Sequence, residues 1–181
     1  MDLSVFVRLI GAPLYVDRSL REDWSEYEEI VGCVLPSDYK RFMSAYGPGC
    51  IGDTLLLFHP KVNRGDSDLN LFDELEGVAG TYAELRRQGN FAHPFPVYPE
   101  RGGCLPVGRT SGGNQLFLHP STSESDNWGI VLDLGEWVHY PWGFAYFLHQ
   151  ALSGCLDVPF LAEQELSFEP VGVLLPQSRS R

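Results

Sequence analysis

The sequence has no long apolar run and few basic side chains. No apolar stretch reaches the roughly 20 residues that a membrane-spanning helix needs, and we expect no signal peptide, because the start is acidic and its apolar run is short. The 181 residues include 13 Lys and Arg against 24 Asp and Glu, a formal net charge of −11 at pH 7. An acidic surface repels phosphate backbones, which argues against nucleic-acid binding and favours a basic protein partner. Acidity of this size is equally explained by the solubility of a cytoplasmic protein, and we expect that location.

Cysteine is scarce, and its spacing carries no motif. The cysteines lie far apart and include no Cys-x-x-Cys pair: Cys33, Cys50, Cys104 and Cys155. A chain of this length does not need disulfides to hold its core, so we expect reduced thiols that fill the core. The even count leaves two disulfides possible in an oxidising compartment.

Motifs for cofactors and nucleophilic catalysis are missing as well. The letters Gly-x-Gly-x-x-Gly occur at 47–52, but a helix precedes and a strand follows in our prediction, the reverse of a dinucleotide site. Cys104 has no local base, and no Gly-x-Ser-x-Gly turn occurs. The loop at 109–114 could hold an anion through backbone N–H groups, but its Gly and Asn residues favour a polar hairpin. We therefore expect a protein that is not an enzyme and binds no cofactor.

The histidines show no metal-ligand spacing. We interpret them as polar residues, several of them at strand ends beside prolines: His59, His93, His119, His139 and His149. A zinc site needs three or four converging ligands. His59 and His119 would approach each other only if their strands pair. We expect no metal site.

Apolar periodicity predicts helices first, then consecutive short strands, then a final helix. Helical spacing covers about 3–10, 22–31, 37–46, 71–85 and 144–152, and extended segments fall at about 51–58, 104–107, 115–118, 130–134 and 137–140. The later strands are too close together for helical crossovers. The prediction is an α+β fold, a largely antiparallel sheet of about five or six strands with N-terminal helices, one mid-chain helix and a C-terminal helix packed on it.

The most informative pattern lies at residues 102–154. It begins with Gly-Gly-Cys-Leu-Pro-Val-Gly at 102–108, continues through a strand that ends in polar residues, and reaches Trp128 at the start of the next strand. A helix rich in Phe and Leu closes it at 144–152. This order resembles the C-terminal half of the SUKH superfamily.

An N-terminal block supports the same resemblance. A helix containing Trp24 is followed by Leu-Pro-Ser-Asp-Tyr at 35–39 and by Tyr-Gly-Pro-Gly at 46–49, which is similar to the family's opening. The first 20 or so residues and the tail after Gly154 show no family pattern. We interpret 1–181 as a single SUKH-like domain with a core at about 20–155 and a C-terminal extension at 156–181 that wraps the surface.

The resemblance implies a binding function. Many bacterial members are immunity proteins that neutralise polymorphic toxins, so we expect a protein that binds a cognate toxin, such as a basic nuclease domain, without catalysis. The superfamily also includes a yeast regulator of cell-wall synthesis, so a signalling adaptor or a small-ligand sensor is the alternative. An enzyme using dispersed His and Asp residues ranks third.

The acidic clusters form the candidate docking surface for such a partner. They crowd one helix, the start of another and a loop: Glu22, Asp23, Glu26, Glu29, Asp66, Asp68, Asp73, Glu74, Glu124 and Asp126. Opposite charge steers encounter, and aromatic side chains hold a complex. The candidate anchors lie mainly in loops, with Trp128 expected in the core: Phe91, Phe95, Tyr98, Trp128 and Trp142. The alternative is an ordinary solvated face.

Overall fold

A computed structural model of the protein describes residues 2–15, 20–62, 69–89, 94–120, 128–161, 166–172 and 174. These residues include five helices. They are α1 (Ser4–Ile10), α2 (Leu20–Val31), α3 (Ser37–Tyr46), α4 (Leu71–Arg87) and α5 (Phe144–Leu152). Each predicted helix is present, with its ends within two residues of the expected positions. No helix of the described residues is long and apolar enough to cross a membrane.

The ends of α3 and α4 follow from local chemistry. The Asn70 side chain accepts hydrogen bonds from the N–H groups of Phe72 and Asp73, which satisfies donors left open at the start of α4. Gly47 follows α3 with φ +78° and donates its N–H to the carbonyl of Met43, as the sequence predicts.

The strands form one antiparallel sheet. They are β1 (Gly49–Ile51), β2 (Leu55–Leu57), β3 (Leu105–Thr110), β4 (Gln115–His119), β5 (Gly129–Asp133), β6 (Trp137–Tyr140) and β7 (Phe168–Pro170). The order across the sheet is β6-β5-β4-β3-β2-β1-β7, and every neighbouring pair is antiparallel. The predicted α+β class is confirmed.

The sheet has seven strands in the described residues, one or two more than predicted. The segment at about 51–58 is a hairpin rather than one strand, because Gly52 and Asp53 both have φ +56° and turn the chain. Because three leucines follow this turn, residues 51–58 were predicted as a single strand. The other addition is β7, which pairs with β1 and comes from the tail that was expected only to wrap the surface.

The main core lies between one face of the sheet and helices α1, α2, α3 and α5, and the start of α4 adds Leu71, Phe72 and Leu75 to it. Trp24 is fully buried there, and its Nε1 donates to Ser44 Oγ at 2.9 Å. The opposite face carries α4 and a smaller apolar cluster: Val78, Tyr82, Val97, Cys104, Phe117 and Val131. Side chains alternate along a strand, so Leu116 and Leu118 face the main core while Phe117 faces the α4 side.

Candidate functional site

The structure divides the predicted acidic surface. Glu26 and Glu29 on α2 and Asp73 on α4 are exposed. Asp23 and Glu74 are buried, so their assignment to a docking surface is corrected. Both lie on the buried stripes of their helices, Asp23 one turn before Tyr27 and Glu74 one turn before Val78. Four further acidic residues lie outside the described part of the chain: Asp66, Asp68, Glu124 and Asp126. The side chain of Glu22 is not described either.

Glu74 is buried against a cation. Arg109 Nη1 donates to Glu74 Oε2 at 3.0 Å, and the Glu74 side chain is 5% exposed. The Arg109 guanidinium also lies 5.4 Å from the centre of the Phe58 ring, a distance at which a cation is attracted to an aromatic face. Burial raises the pKa of Glu74, while Arg109 and a hydrogen bond from Gln115 oppose that rise. Arg109 is therefore engaged inside the protein.

Strand register aligns three polar residues, Arg109, Gln115 and Asp133, in a row across the sheet, on the face that α4 covers. Arg109 of β3 pairs with Gln115 of β4, and Gln115 pairs with Asp133 of β5. Strands lie about 4.8 Å apart, so the row spans about 10 Å. None of these three residues was predicted as a site residue, because sequence gives the polar ends of the strands but not their alignment.

Helix α4 crosses above this row. Glu74 contacts Arg109 at one end, and the Tyr82 hydroxyl donates to Asp133 Oδ2 at 2.5 Å at the other. The eight residues between Glu74 and Tyr82 rise about 12 Å along a helix, close to the span of the row. Burial and then Asp133 raise the pKa of Tyr82, so its hydroxyl stays protonated and remains a donor.

A cleft of about 450 Å³ lies between α4 and the row, within the size range of small-ligand sites. Its charged lining consists of three carboxylates, Asp73, Glu74 and Asp133, and the single guanidinium of Arg109. Gly77 on α4 adds no side chain to the cleft, and no atom of the described residues lies within 4 Å of the position that a Cβ would take there. This cleft is the candidate functional site.

Two histidines lie together on the same face as the cleft. The rings of His119 and His139 are 5.1 Å apart, and Phe95 packs against both. Gly129 makes room for them, because a Cβ there would lie 2.6 Å from His139 Nε2. Burial, followed by the neighbouring His139, lowers the pKa of His119.

His59 does not join this pair. It follows β2, which β3 separates from β4, and its ring lies 5.0 Å from Trp24 in the main core. The strands next to His59 and His119 do not pair, so the two histidines are not brought together. Within the described ranges, no group of three or more His, Cys, Asp and Glu side chains could hold a metal ion.

The remaining sequence motifs are structural. Residues 47–52 follow α3 and include β1, and residues 109–114 lie in the β3–β4 hairpin, so a helix precedes the glycine motif and the polar loop is a hairpin, as predicted. All four cysteines are free thiols in the structure. Burial raises the pKa of Cys104 to about 12, so this thiol is a poor nucleophile at neutral pH.

The candidate aromatic anchors differ in exposure. Trp128 is buried, as predicted. Trp142 is half-buried and lies 5.5 Å from Tyr146, which is 46% exposed. Phe95 and Tyr98 are partly buried, and Phe91 lies outside the described residues. Tyr146, which was not among the predicted anchors, is the exposed aromatic side chain beside Trp142.

Comparison with known proteins identifies the family. The sequence profile of the SMI1 / KNR4 family (SUKH-1) matches residues 20–148, from the start of α2 into α5. The match includes the whole cleft and leaves out α1 and β7. No curated protein and no solved structure gives a significant match to the chain.

Proposed function

This chain belongs to the SMI1 / KNR4 family (SUKH-1), and on that basis we propose that it is an immunity protein that binds and neutralises a cognate toxin without catalysis. The family match over residues 20–148 carries the proposal, since many bacterial members of the SUKH superfamily have this role. The proposed location is the cytoplasm, where the toxin would otherwise act.

The charge of the chain supports a basic toxin domain as the partner, such as a nuclease. The net charge is −11, and Glu26, Glu29 and Asp73 present carboxylates to solvent. Complementary charge accelerates encounter and sets orientation more than it adds affinity. We propose that bound immunity protein covers the active site or substrate groove of the toxin, and that the acidic side chains outside the described ranges extend the docking surface: Glu22, Asp66, Asp68, Glu124 and Asp126.

Co-expression tests this function. A toxin encoded beside this gene should stop growth when expressed alone, and expression of this chain should restore growth. The purified pair should elute as a one-to-one complex in size-exclusion chromatography. A neighbouring toxin that kills in the presence of this chain, together with pull-downs that return no basic partner, would contradict the proposal.

A small-ligand sensor or signalling adaptor with the same fold is the second candidate, and the 450 Å³ cleft is the observation that favours it. Native mass spectrometry of the purified chain separates the two candidates. A small molecule that copurifies at one per chain, and is released on denaturation, favours the sensor.

A further inference from the structure

We propose that the cleft between α4 and the β3–β5 row receives an arginine side chain of the toxin. The inference rests on the proposed function and adds the chemistry of the contact. It assigns a recognition role to Asp133, Asp73 and Gly77, which line the cleft. Three properties of the cleft favour this ligand: its charge, its hydrogen-bonding capacity and its space.

The charge of the cleft favours a cation. Three carboxylates and one guanidinium line it. Arg109 is held by Glu74 at 3.0 Å and lies 5.4 Å from the Phe58 ring centre, so its charge is offset by a carboxylate. The charges of Glu74 and Arg109 offset each other, and Asp133 adds a negative charge on the β5 wall. A cation entering a partly enclosed, net negative cleft is attracted more strongly than at an open surface.

The hydrogen bonds of Asp133 leave acceptor capacity for a ligand. Its Oδ2 accepts from the Tyr82 hydroxyl, and its Oδ1 accepts from the Gly135 N–H at 3.0 Å. A carboxylate has about four lone-pair sites, so each oxygen can accept again. These two bonds also fix the carboxylate in place before a partner arrives, which reduces the entropy lost on binding.

Guanidinium fits this arrangement better than ammonium. Asp73 is on α4 and Asp133 is on β5, so acceptors lie on both walls of the cleft. The planar guanidinium carries five donors at its edge and pairs with carboxylates in a bidentate manner, whereas ammonium is a compact, strongly hydrated charge. The apolar walls formed by Val78 and Leu85 suit the methylene stem of arginine.

Gly77 lines the cleft without adding a side chain to it. A glycine inside a helix destabilises it relative to alanine, and α4 contains two, Gly77 and Gly80. A Cβ at either position would meet no atom of the described residues within 4 Å, so neither glycine is required by packing there. Gly77 lines the cleft and Gly80 does not. The two positions therefore offer a matched pair of variants on one helix.

Blocking the cleft is the first test. Gly77→Met should place a side chain in the cleft and weaken toxin binding about tenfold or more, an affinity change that calorimetry resolves easily. Gly80→Met should bind within about twofold of wild type. Both variants should unfold at wild-type denaturant concentrations or higher, because methionine is the better helix former. Equal affinity of the two variants would overturn the inference.

Removing the charge is the second test. Asp133→Asn keeps an acceptor for Tyr82 or Gly135 but loses the negative charge, and we expect a loss of about tenfold in toxin affinity. Asp157→Asn removes the same charge from an exposed position outside the cleft and should have little effect. An equal loss in both would indicate general attraction by net charge and would overturn the specific role of Asp133.

A small probe tests the chemistry independently of the toxin. N-acetyl-arginine amide, titrated into ¹⁵N-labelled wild-type chain, should shift the amide resonances of Gly77, Tyr82 and Asp133. The uncharged analogue N-acetyl-citrulline amide should not shift them, and Gly77→Met should abolish the response. Shifts from both compounds, or from neither, would contradict a guanidinium site.

These outcomes separate the inference from the proposed function. If wild type neutralises the toxin and the Gly77→Met and Asp133→Asn variants do so equally well, the inference fails and the proposed function stands. If no toxin binds wild type but the arginine probe does, the cleft is a small-ligand site. That result would overturn the toxin as occupant and favour the sensor.

Discussion

Arg109 is the residue whose removal should disturb the cleft most directly, because it neutralises a buried carboxylate. Glu74 has a 5% exposed side chain and belongs to the helix that forms one wall. Arg109 itself is 36% exposed, so water screens the pair in part. The contribution of this ion pair should be smaller than that of a fully buried pair and should depend on pH.

Arg109→Met is expected to destabilise the fold by about 2 kcal/mol at neutral pH, since it leaves the Glu74 charge buried without a cation. Burial raises the folded-state pKa of Glu74 above the ordinary value of 4.5, and loss of Arg109 raises it further. A carboxyl whose pKa rises on folding destabilises the fold above that pKa, and the penalty disappears as pH falls towards 4.5. Urea unfolding at about pH 7 and about pH 5 should therefore show a smaller penalty at the lower pH.

Arg101→Met is the control for this prediction, because Arg101 is exposed and outside the cleft. It should change stability by less than about 0.5 kcal/mol at either pH. A penalty for Arg109→Met that is the same at both pH values would show that Glu74 is not the group responsible.

Individual residues were predictable where periodicity decides their environment. Tyr39 and Phe42 lie on a helical stripe in the sequence and are fully buried. The same periodicity places Asp23 and Glu74 on buried stripes, yet their charge suggested exposure. The partner of Glu74 lies 35 positions away, and only the packing of α4 on the sheet brings the two together.

Among the secondary-structure elements, β7 depends on its close packing against Gly49 of β1. β7 pairs with β1 through the register Gly49 to Pro170. A Cβ on Gly49 would lie 2.4 Å from the Phe168 ring and 2.6 Å from the Glu169 carbonyl oxygen. Backbone cannot yield as a flexible side chain does, so this position requires glycine.

Gly49→Ala should therefore release β7 while leaving the rest of the sheet intact. Hydrogen exchange is the measurement, because the Val171 N–H donates to the Pro48 carbonyl and the Gly52 N–H to the Ser167 carbonyl. Both amides should lose protection, whereas amides shared by β4 and β5 should keep theirs.

Gly112→Ala provides the comparison for the β7 variant, because an added Cβ there meets only Thr110 Oγ1 at 3.7 Å, an ordinary contact. Its exchange pattern should match wild type. Unchanged protection of Val171 in Gly49→Ala would mean that β1 and β7 separate enough to accept a methyl group.

The helices and hairpin strands were predictable because their signals are local. Five amphipathic stripes gave five helices. The β1–β2 turn was missed because the leucines of 55–57 were joined with Ile51 into one predicted strand across Gly52 and Asp53. β7 was missed because three residues that include a proline are too few to show the apolar–polar alternation of a strand. The strand forms only through its contact with β1.

For the molecule as a whole, the net charge of −11 governs long-range behaviour. The electrostatic field of this charge extends further than the contact distance of a single ion pair. Salt screens it, with a Debye length of about 10 Å at 0.1 M. If the partner is a basic toxin, association should be fast at low salt and slow at high salt.

The association rate constant should fall by about tenfold or more between about 50 mM and about 500 mM salt, and the dissociation rate should change much less. Stopped-flow fluorescence gives both rates. The double variant Glu26→Lys with Glu29→Lys should reduce the association rate at low salt more than Asp157→Lys combined with Glu169→Lys, two exposed positions outside the proposed surface. Equal reductions would place the docking surface elsewhere.

The order of the strands has a consequence for how the protein emerges from the ribosome. β1 to β6 are neighbours in the sheet in the same order in which they are synthesised, so each new strand can pair with the one made just before it. Contacts between sequence neighbours form quickly, and each strand edge is left open to wrong partners only until the next hairpin arrives. Among the strands of the described residues, only β7 must return to β1 after the rest of the sheet has been made, so the sheet is complete only once residue 170 has been synthesised.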